Sequence, residues 1–147
     1  MRVLVASDHA GFELKSVVAA RARECGHEVI DLGPTTSDAV DYPDFAHLVA
    51  RRVAGGQAER GVLVCGTGIG MSIAANRHRG VRAALCCSAF AAEAARRHND
   101  ANVLCLGGRT TTTEAAVQIL DVFLATPFDG GRHQRRVEKI EPEEVSS

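Results

Sequence analysis

Short apolar runs rich in β-branched residues alternate along this chain with longer stretches of helical composition and spacing. This alternation predicts strands at residues 3–6, 28–32, 62–65, 83–86 and 103–106, and helices at residues 12–24, 45–54, 71–78, 89–98 and 112–125. Because a helix returns the chain to the same edge each time, the strands are expected to be parallel and covered on both faces. The pattern therefore predicts an α/β fold, a single doubly wound domain of three layers with a five-stranded parallel sheet.

The chain after Pro127 breaks this alternation. Residues 128–147 begin with a turn, Asp129-Gly130-Gly131, and then become strongly charged. They are predicted to form an arm or short helix outside the core that reaches a neighbouring subunit, with residues 141–147 frayed. The α/β domain is thus expected to span residues 1–127. In its last helix, the residues expected to face the sheet are Ala115, Ile119, Val122 and Phe123.

Composition argues against several classes of function. The formal net charge is −1 and aromatic residues make up 4% of the chain, so nucleic acid is not an expected partner. No apolar run approaches the roughly 20 residues of a membrane span, and the amino-terminal run is too short for a secretory leader. A soluble, cytoplasmic protein is expected.

The cysteines and histidines predict neither disulfides nor a metal site. The five cysteines include no CxxC pair, which is typical of a protein from a reducing compartment. The six histidines show no spacing typical of metal ligands, so no metal is expected. Four of the cysteines are predicted to be packing residues: Cys25, Cys86, Cys87 and Cys105.

Ligands of doubly wound folds bind beyond the carboxyl ends of the strands, where the strand order reverses. We expect the order 2-1-3-4-5, in which the first and third strands are neighbours. Their following loops carry Asp8 and His9 in one case and Cys65 with a glycine-rich turn in the other. The later loops are expected to add further polar groups at this rim: Ser88, His98, Asn99, Asp100 and Arg109.

The glycine-rich turn at residues 66–70 lies between a predicted strand and a predicted helix, an arrangement that binds anions through backbone N–H groups. Its GxGxG spacing differs from the GxGxxG of dinucleotide-binding turns, and the chain has no GK[ST] P-loop. A cysteine-dependent phosphatase would need an arginine where Met71 stands. A thiolate at Cys65 could take a proton from a carbon next to a carbonyl while the N–H groups hold the oxyanion. A packed, inert Cys65 remains the alternative.

Two further groups have a functional and a simpler interpretation. Arg132 and Arg136 are four residues apart, so on a helix they would share a face and could bind one phosphate, or they could form an ordinary solvated surface. His98 lies at a predicted helix end, where it could act as an acid/base group or interact with the helix dipole.

Taken together, the motifs resemble the B-type ribose-5-phosphate isomerases, the family that also contains the galactose-6-phosphate isomerase subunits. The matching stretches are SDHAGFELK, DYPDFA, CGTGIGMSIAAN, RHNDANVL, GGRT and GGRHQRRVEKI. The resemblance implies a flavodoxin-like fold without metal or organic cofactor, and reversible aldose–ketose isomerisation of a sugar phosphate through a cis-enediolate. Ribose 5-phosphate, in the pentose phosphate pathway, is the expected substrate. Allose, galactose or tetrose phosphates, and a non-catalytic sugar-phosphate-binding module, stay open as alternatives.

The resemblance also implies roles for individual residues. Cys65 would move the proton between C1 and C2, Thr67 would assist proton transfer at oxygen, and His98 would open the furanose ring with Asp8 nearby. The implied substrate-binding residues are His9, Tyr42, Gly66, Gly68, Ile69, Gly70, Asn99, Arg109, Arg132 and Arg136, of which Arg109 is the additional phosphate contact.

One branch of the family uses a glutamate base at the position of Met71. Because methionine cannot take a proton and Cys65 is present, this chain resembles the cysteine branch. The family's site lies at a dimer interface, which implies a homodimer with shared active sites and leaves a tetramer open.

Overall fold

The computed structural model describes residues 1–144. They form β1 (Arg2–Ser7), α1 (Phe12–Glu24), β2 (Glu28–Asp31), α2 (Tyr42–Ala54), β3 (Arg60–Cys65), α3 (Ile69–Ala75), β4 (Ala83–Leu85), α4 (Ala89–Asn99), β5 (Val103–Gly107), α5 (Thr113–Ala125) and α6 (Arg132–Glu138). Each predicted strand and helix is present, with ends that shift by a few residues. No helix in the described range has the length and apolar character needed to span a bilayer.

The five strands pair in parallel in the order β2-β1-β3-β5-β4. The predicted order 2-1-3-4-5 is therefore wrong for its last two strands. Every residue of β5 is buried, whereas β4 has three residues that are only half-buried. The fully apolar β5 takes the interior position, where both of its faces are covered, and the short β4 takes the edge.

Residues of the central strand β3 alternate between two cores, one on each face of the sheet. Val62 and Val64 pack with residues of α1, α4 and α5, while Leu63 and Cys65 pack with residues of α2 and α3. The buried stripe of α5 consists of Ala116, Ile119, Leu120 and Phe123. The predicted stripe is thus wrong at Ala115, which is half-buried, whereas Val122 is half-buried but packs against the core as predicted. The Thr112 hydroxyl caps α5 through the Ala115 N–H, which holds Ala115 at the exposed start of the helix.

The prediction that four cysteines pack in the core holds for two of them. Cys86 and Cys105 are buried, but Cys25 and Cys87 are exposed because both lie just outside helices, where the chain turns through solvent. Burial, with a smaller contribution from Cys87, raises the pKa of Cys86 to about 11, and burial raises the pKa of Cys105 still further. Both buried thiols therefore stay protonated near neutral pH.

The arm after residue 127 lies outside the sheet and its two cores. Its helix α6 has no buried residue, and it packs on α4. The Glu141 carboxylate, in the segment predicted to fray, accepts a hydrogen bond of 2.7 Å from the Gly80 N–H. The rest of that prediction falls partly on residues 145–147, which lie outside the described range.

Candidate active site

Cys65 ends the central strand β3 with its side chain only 5% exposed. Its sulfur accepts a hydrogen bond of 3.1 Å from the Gly68 N–H. Gly68 has a φ of +79°, and a Cβ atom there would lie 2.6 Å from the Leu85 side chain. The turn that directs an N–H group at the thiol therefore requires glycine at this position. Met71 is fully buried in the core beneath the turn.

Loops from three neighbouring strands meet around Cys65. The Asp8 N–H donates to the Val64 carbonyl at 3.1 Å, and the Gly108 N–H donates to the Cys65 carbonyl at 2.7 Å. The Arg109 N–H donates to the Gly66 carbonyl at 2.9 Å. The observed strand order explains this arrangement, because β1 and β5 lie on either side of β3. With the predicted order, Ser88 rather than Arg109 would lie beside the glycine turn.

Side chains of Tyr42 and Arg109 border the glycine turn. Tyr42 begins α2, and a Cβ atom added at Gly70 would lie 2.6 Å from its ring, so the ring rests directly on the turn. The Arg109 guanidinium lies 3.5 Å from the position that a Cβ atom of Gly66 would occupy. The turn thus carries an aromatic ring on one side and a cation on the other.

Thr67 and Asp8 present polar groups at the same edge of the sheet. Thr67 is exposed, and its hydroxyl oxygen accepts a hydrogen bond from the Ile69 N–H at 3.2 Å. Asp8 is buried, and its carboxylate accepts one from the Gly11 N–H at 3.1 Å. Both side chains are therefore held by the backbone of the turn to which they belong.

His9 is exposed, and its Nδ1 accepts a hydrogen bond of 3.3 Å from the Val40 N–H. An accepting Nδ1 places the ring proton on Nε2 in the neutral imidazole, which leaves Nε2–H as a free donor. His9 lines a cavity of about 300 Å³ together with Ser37, Gly108 and Thr111. Cys65 is not among the residues that line this cavity.

Lys15 has a role that the sequence patterns did not indicate. It is 1% exposed, and its ammonium group donates to the Asp31 carboxylate at 3.0 Å and the Pro34 carbonyl at 2.6 Å. The same Asp31 oxygen accepts from the Gly33 N–H at 2.8 Å. This network holds the start of the β2–α2 loop, whose far end contacts His9 and continues into α2. A lysine among the buried apolar residues of α1 was the pattern that could have revealed it.

We expect Asp31→Asn to destabilise the protein by about 1–3 kcal/mol, because the buried ammonium group loses its charged partner. Lys15→Met removes the buried charge itself, so combining the two changes should cost less than the sum of the single changes. Urea unfolding of the three variants measures this coupling. Glu28→Gln is the matched control, since it breaks an exposed ion pair with Arg2 and should cost under about 1 kcal/mol. Additive effects of Asp31→Asn and Lys15→Met would contradict the network.

Cys65 lies at the carboxyl ends of the strands, whereas His98 and Asn99 lie beyond their amino ends. They end α4, and the residues that follow contact the start of β4 and β5: the Arg82 guanidinium donates to the Asp100 carbonyl at 2.9 Å. The expectation that His98, Asn99 and Asp100 share a rim with Cys65 within one chain is therefore wrong. A helix that connects parallel strands runs antiparallel to them, so its carboxyl end reaches the amino edge of the sheet. At about 3.3 Å per residue, the length of β5 separates the two edges by about 15 Å.

Three residues of the arm lie near His98: Asp129, His133 and Arg136. The His98 and His133 rings are stacked, with centroids 4.5 Å apart and an interplanar angle of 18°, and Asp129 lies beside them. His98, Asn99, His133 and Arg136 line a cavity of about 400 Å³. Desolvation, then the neighbouring His98 and Arg132, lower the pKa of His133 below its usual value. The sequence analysis missed His133 and Asp129 because no regular spacing connects them with His98.

Arg132 and Arg136 lie on exposed turns of α6, four residues apart on one face. Within residues 1–144 neither side chain forms an ion pair. Two unpaired guanidinium groups on one helical face can bind a dianion such as a phosphate monoester.

Comparison with known proteins places these features in a family. Residues 3–140 match the family described as Ribose/Galactose Isomerase. The chain belongs to the ribose/galactose isomerase family. A similar member is ribose-5-phosphate isomerase B of Escherichia coli, which is 47% identical over 139 residues, 95% of this chain and 93% of the relative.

Solved structures of ribose/galactose isomerases share the fold. The Clostridium thermocellum ribose-5-phosphate isomerase B is 46% identical with a TM-score of 0.93, and 95% of each chain is covered. The Mycoplasma genitalium ribose-5-phosphate isomerase B, whose structure contains bound ribulose 5-phosphate, is 47% identical with a TM-score of 0.91. That match covers 95% of this chain and 93% of the relative. The matches span nearly the whole chain, so they include both edges of the sheet and the arm.

Proposed function

We propose that this protein interconverts D-ribose 5-phosphate and D-ribulose 5-phosphate, with Cys65 as the base that moves the proton between C2 and C1. The observation that carries the proposal is a nearly buried thiol at the carboxyl end of the central strand, held by a backbone N–H of a glycine turn. The ribose-5-phosphate isomerase B relatives, one of them with ribulose 5-phosphate bound, support the choice of substrate. Five free thiols fit the predicted cytoplasmic location.

The proposed reaction is a proton transfer that leaves the sugar's composition unchanged. The Cys65 thiolate takes the C2 proton of the open-chain aldose, and the electron pair moves onto the carbonyl oxygen to give a cis-enediolate. N–H groups of residues 66–70 stabilise the enediolate oxygens, and the Gly68 N–H already points at the Cys65 sulfur. In this proposal the exposed Thr67 hydroxyl of the same turn transfers a proton between those oxygens. The Cys65 thiol then returns its proton to C1, which gives the ketose.

Within one chain, the proposed base and the proposed ring-opening group lie at opposite ends of the strands. Cys65 and the N–H donors lie at the carboxyl ends of the strands, whereas His98, the proposed ring-opening group, lies at their amino ends, and the two ends are about 15 Å apart. Both groups must reach neighbouring atoms of one sugar. A second copy of the chain that presents its His98 to the first chain's Cys65 meets this requirement, and a two-fold dimer then has two equivalent shared sites.

Exposed apolar side chains near Cys65 support such an interface. Ile69 is 51% and Ile73 is 55% exposed, and they lie four residues apart on α3, directly after the glycine turn. Phe90, near the start of α4, is 81% exposed. Exposed apolar side chains that share one helical face, as Ile69 and Ile73 do, are typical of surfaces that bind another protein. In the dimer, His9 and Arg109 from one chain and Arg132 and Arg136 from the other form the proposed phosphate site, and Tyr42 and Asn99 border the sugar.

Exchange of the substrate's C2 proton with deuterated solvent tests the reaction. We expect deuterium to enter ribose 5-phosphate and ribulose 5-phosphate at a rate that depends on enzyme concentration. A protein that only binds sugar phosphates would cause no exchange. A panel of four-, five- and six-carbon aldose phosphates, compared by kcat/KM, then tests the sugar. One carbon changes transition-state binding by about 1–3 kcal/mol, so a larger kcat/KM for a four- or six-carbon phosphate would overturn the assignment to ribose.

A further inference from the structure

The amino edge of the sheet holds a cluster of metal-ligating side chains. The nearest ring nitrogens of His98 and His133 and a carboxylate oxygen of Asp129 all lie within 4.8 Å of one another. Two imidazoles and one carboxylate are a donor set that suits Zn²⁺ and similar divalent ions, and three protein ligands leave one position open. The cluster borders the cavity of about 400 Å³, so an ion has access from solvent.

The backbone around the cluster is well held. The guanidinium of the buried Arg96 donates to the Thr126 carbonyl at 3.0 Å and to the Ala101 carbonyl at 2.6 Å, which fixes α4 against the end of α5, just before the arm begins. The Asp129 N–H donates to the Arg97 carbonyl at 3.1 Å. The three side chains therefore start from fixed backbone positions on two helices and a turn.

Binding of an ion requires side-chain rearrangement within the cluster. Zn²⁺ binds nitrogen and oxygen ligands at about 2.0–2.2 Å, so ligand atoms in a tetrahedral site lie about 3–3.5 Å apart. Binding therefore requires the ligand atoms, now within 4.8 Å of one another, to move closer and the stacked imidazole rings to turn so that their lone pairs converge; His98 and Asp129 are exposed and His133 is half-buried, so the side chains have room to rotate. The Arg132 and Arg136 charges oppose a cation, while the Asp129 carboxylate favours it. Because these charges oppose one another, the affinity for the ion is expected to be lower than that of a structural zinc site, and the ion should bind reversibly.

We propose that His98, Asp129 and His133 form a reversible binding site for a divalent transition ion of the Zn²⁺ class, and that the bound ion inhibits the enzyme. The binding itself depends only on the cluster. The inhibition rests on the function proposed above, because a metal would occupy the lone pair with which His98 takes part in ring opening.

Co²⁺ is the spectroscopic probe, because its visible absorption bands intensify when it binds in a tetrahedral site. We expect the full-length protein to give these bands, and Asp129→Asn to weaken Co²⁺ binding about tenfold or more. Asp129 has no part in the proposed reaction, so Asp129→Asn should keep its activity without metal and lose sensitivity to Zn²⁺ by a similar factor. Asp44→Asn is the matched control, an exposed carboxylate on α2 that should change neither property. His47→Gln tests the chain's other histidine pair, His47 and His78, whose ring nitrogens lie 2.7 Å apart.

Three results would overturn the proposal. The first is Co²⁺ or Zn²⁺ binding that Asp129→Asn leaves unchanged, or that His47→Gln abolishes. The second is an intense sulfur-to-cobalt charge-transfer band, which would assign the ion to a thiol such as Cys65. The third is Co²⁺ binding at the cluster with no effect of Zn²⁺ on an active enzyme. Cobalt bands that depend on Asp129 in a protein without isomerase activity would support the site and count against the proposed function instead.

Discussion

Cys65→Ala is expected to lower kcat for ribose 5-phosphate by about 10²–10⁴-fold or more, because the variant has no group that can take the C2 proton. The KM should change little, since the glycine turn, Arg109 and the arm still bind the substrate. Steady-state kinetics of the isomerisation measures the loss. Circular dichroism and thermal unfolding should show an intact fold, because the change removes a single small side-chain atom.

Two other cysteines serve as controls for this result. Cys87→Ser changes an exposed thiol and should keep near-normal activity. Cys105→Ala removes a buried thiol of the same size whose raised pKa keeps it protonated, so any effect should appear in stability rather than in kcat. If Cys65→Ala turned over ribose 5-phosphate at a near-normal rate, Cys65 would be a packing residue and the base would have to be another group.

A mixture of two inactive variants, Cys65→Ala and His98→Asn, is expected to recover about a quarter of the wild-type activity. Random exchange of subunits between two-fold dimers makes about half of them mixed. In a mixed dimer, one shared site carries both substitutions and the other carries none. The measurement is the activity of an equimolar mixture after exchange, compared with each variant alone.

The matched control combines Cys65→Ala with Thr67→Ala. Both residues belong to the same turn, so every site of every dimer would carry one of the two substitutions and no activity should return. Subunit exchange can be followed with one variant carrying an affinity tag. Exchange without recovery in the Cys65 and His98 mixture would contradict the shared site, and so would recovery in the control.

Local sequence patterns were sufficient to predict the elements of this fold. The three inner strands β1, β3 and β5 bury both faces, so their apolar runs are continuous, and glycines mark the changes of element. The same local reasoning found the glycine turn after Cys65, because a strand, a turn and a helix that follow one another along the chain are necessarily close in space. Errors in the apolar stripe of α5 and in the exposure of Cys25 arose where an element ends, since caps and turns rotate side chains away from the regular period.

The sequence by itself thus determined the parallel α/β fold, the thiol at the end of the third strand and the turn of N–H donors beside it. Only the tertiary structure decided that β5 rather than β4 lies next to β3, which brings Arg109 to the turn. It also decided that Lys15 is buried against Asp31, and that His98 lies with Asp129 and His133 at the far edge from Cys65. The physical reason is that the spacing of apolar residues shows which face of a single helix or strand is buried. The order of the strands in the sheet depends instead on packing between elements that are distant in the sequence.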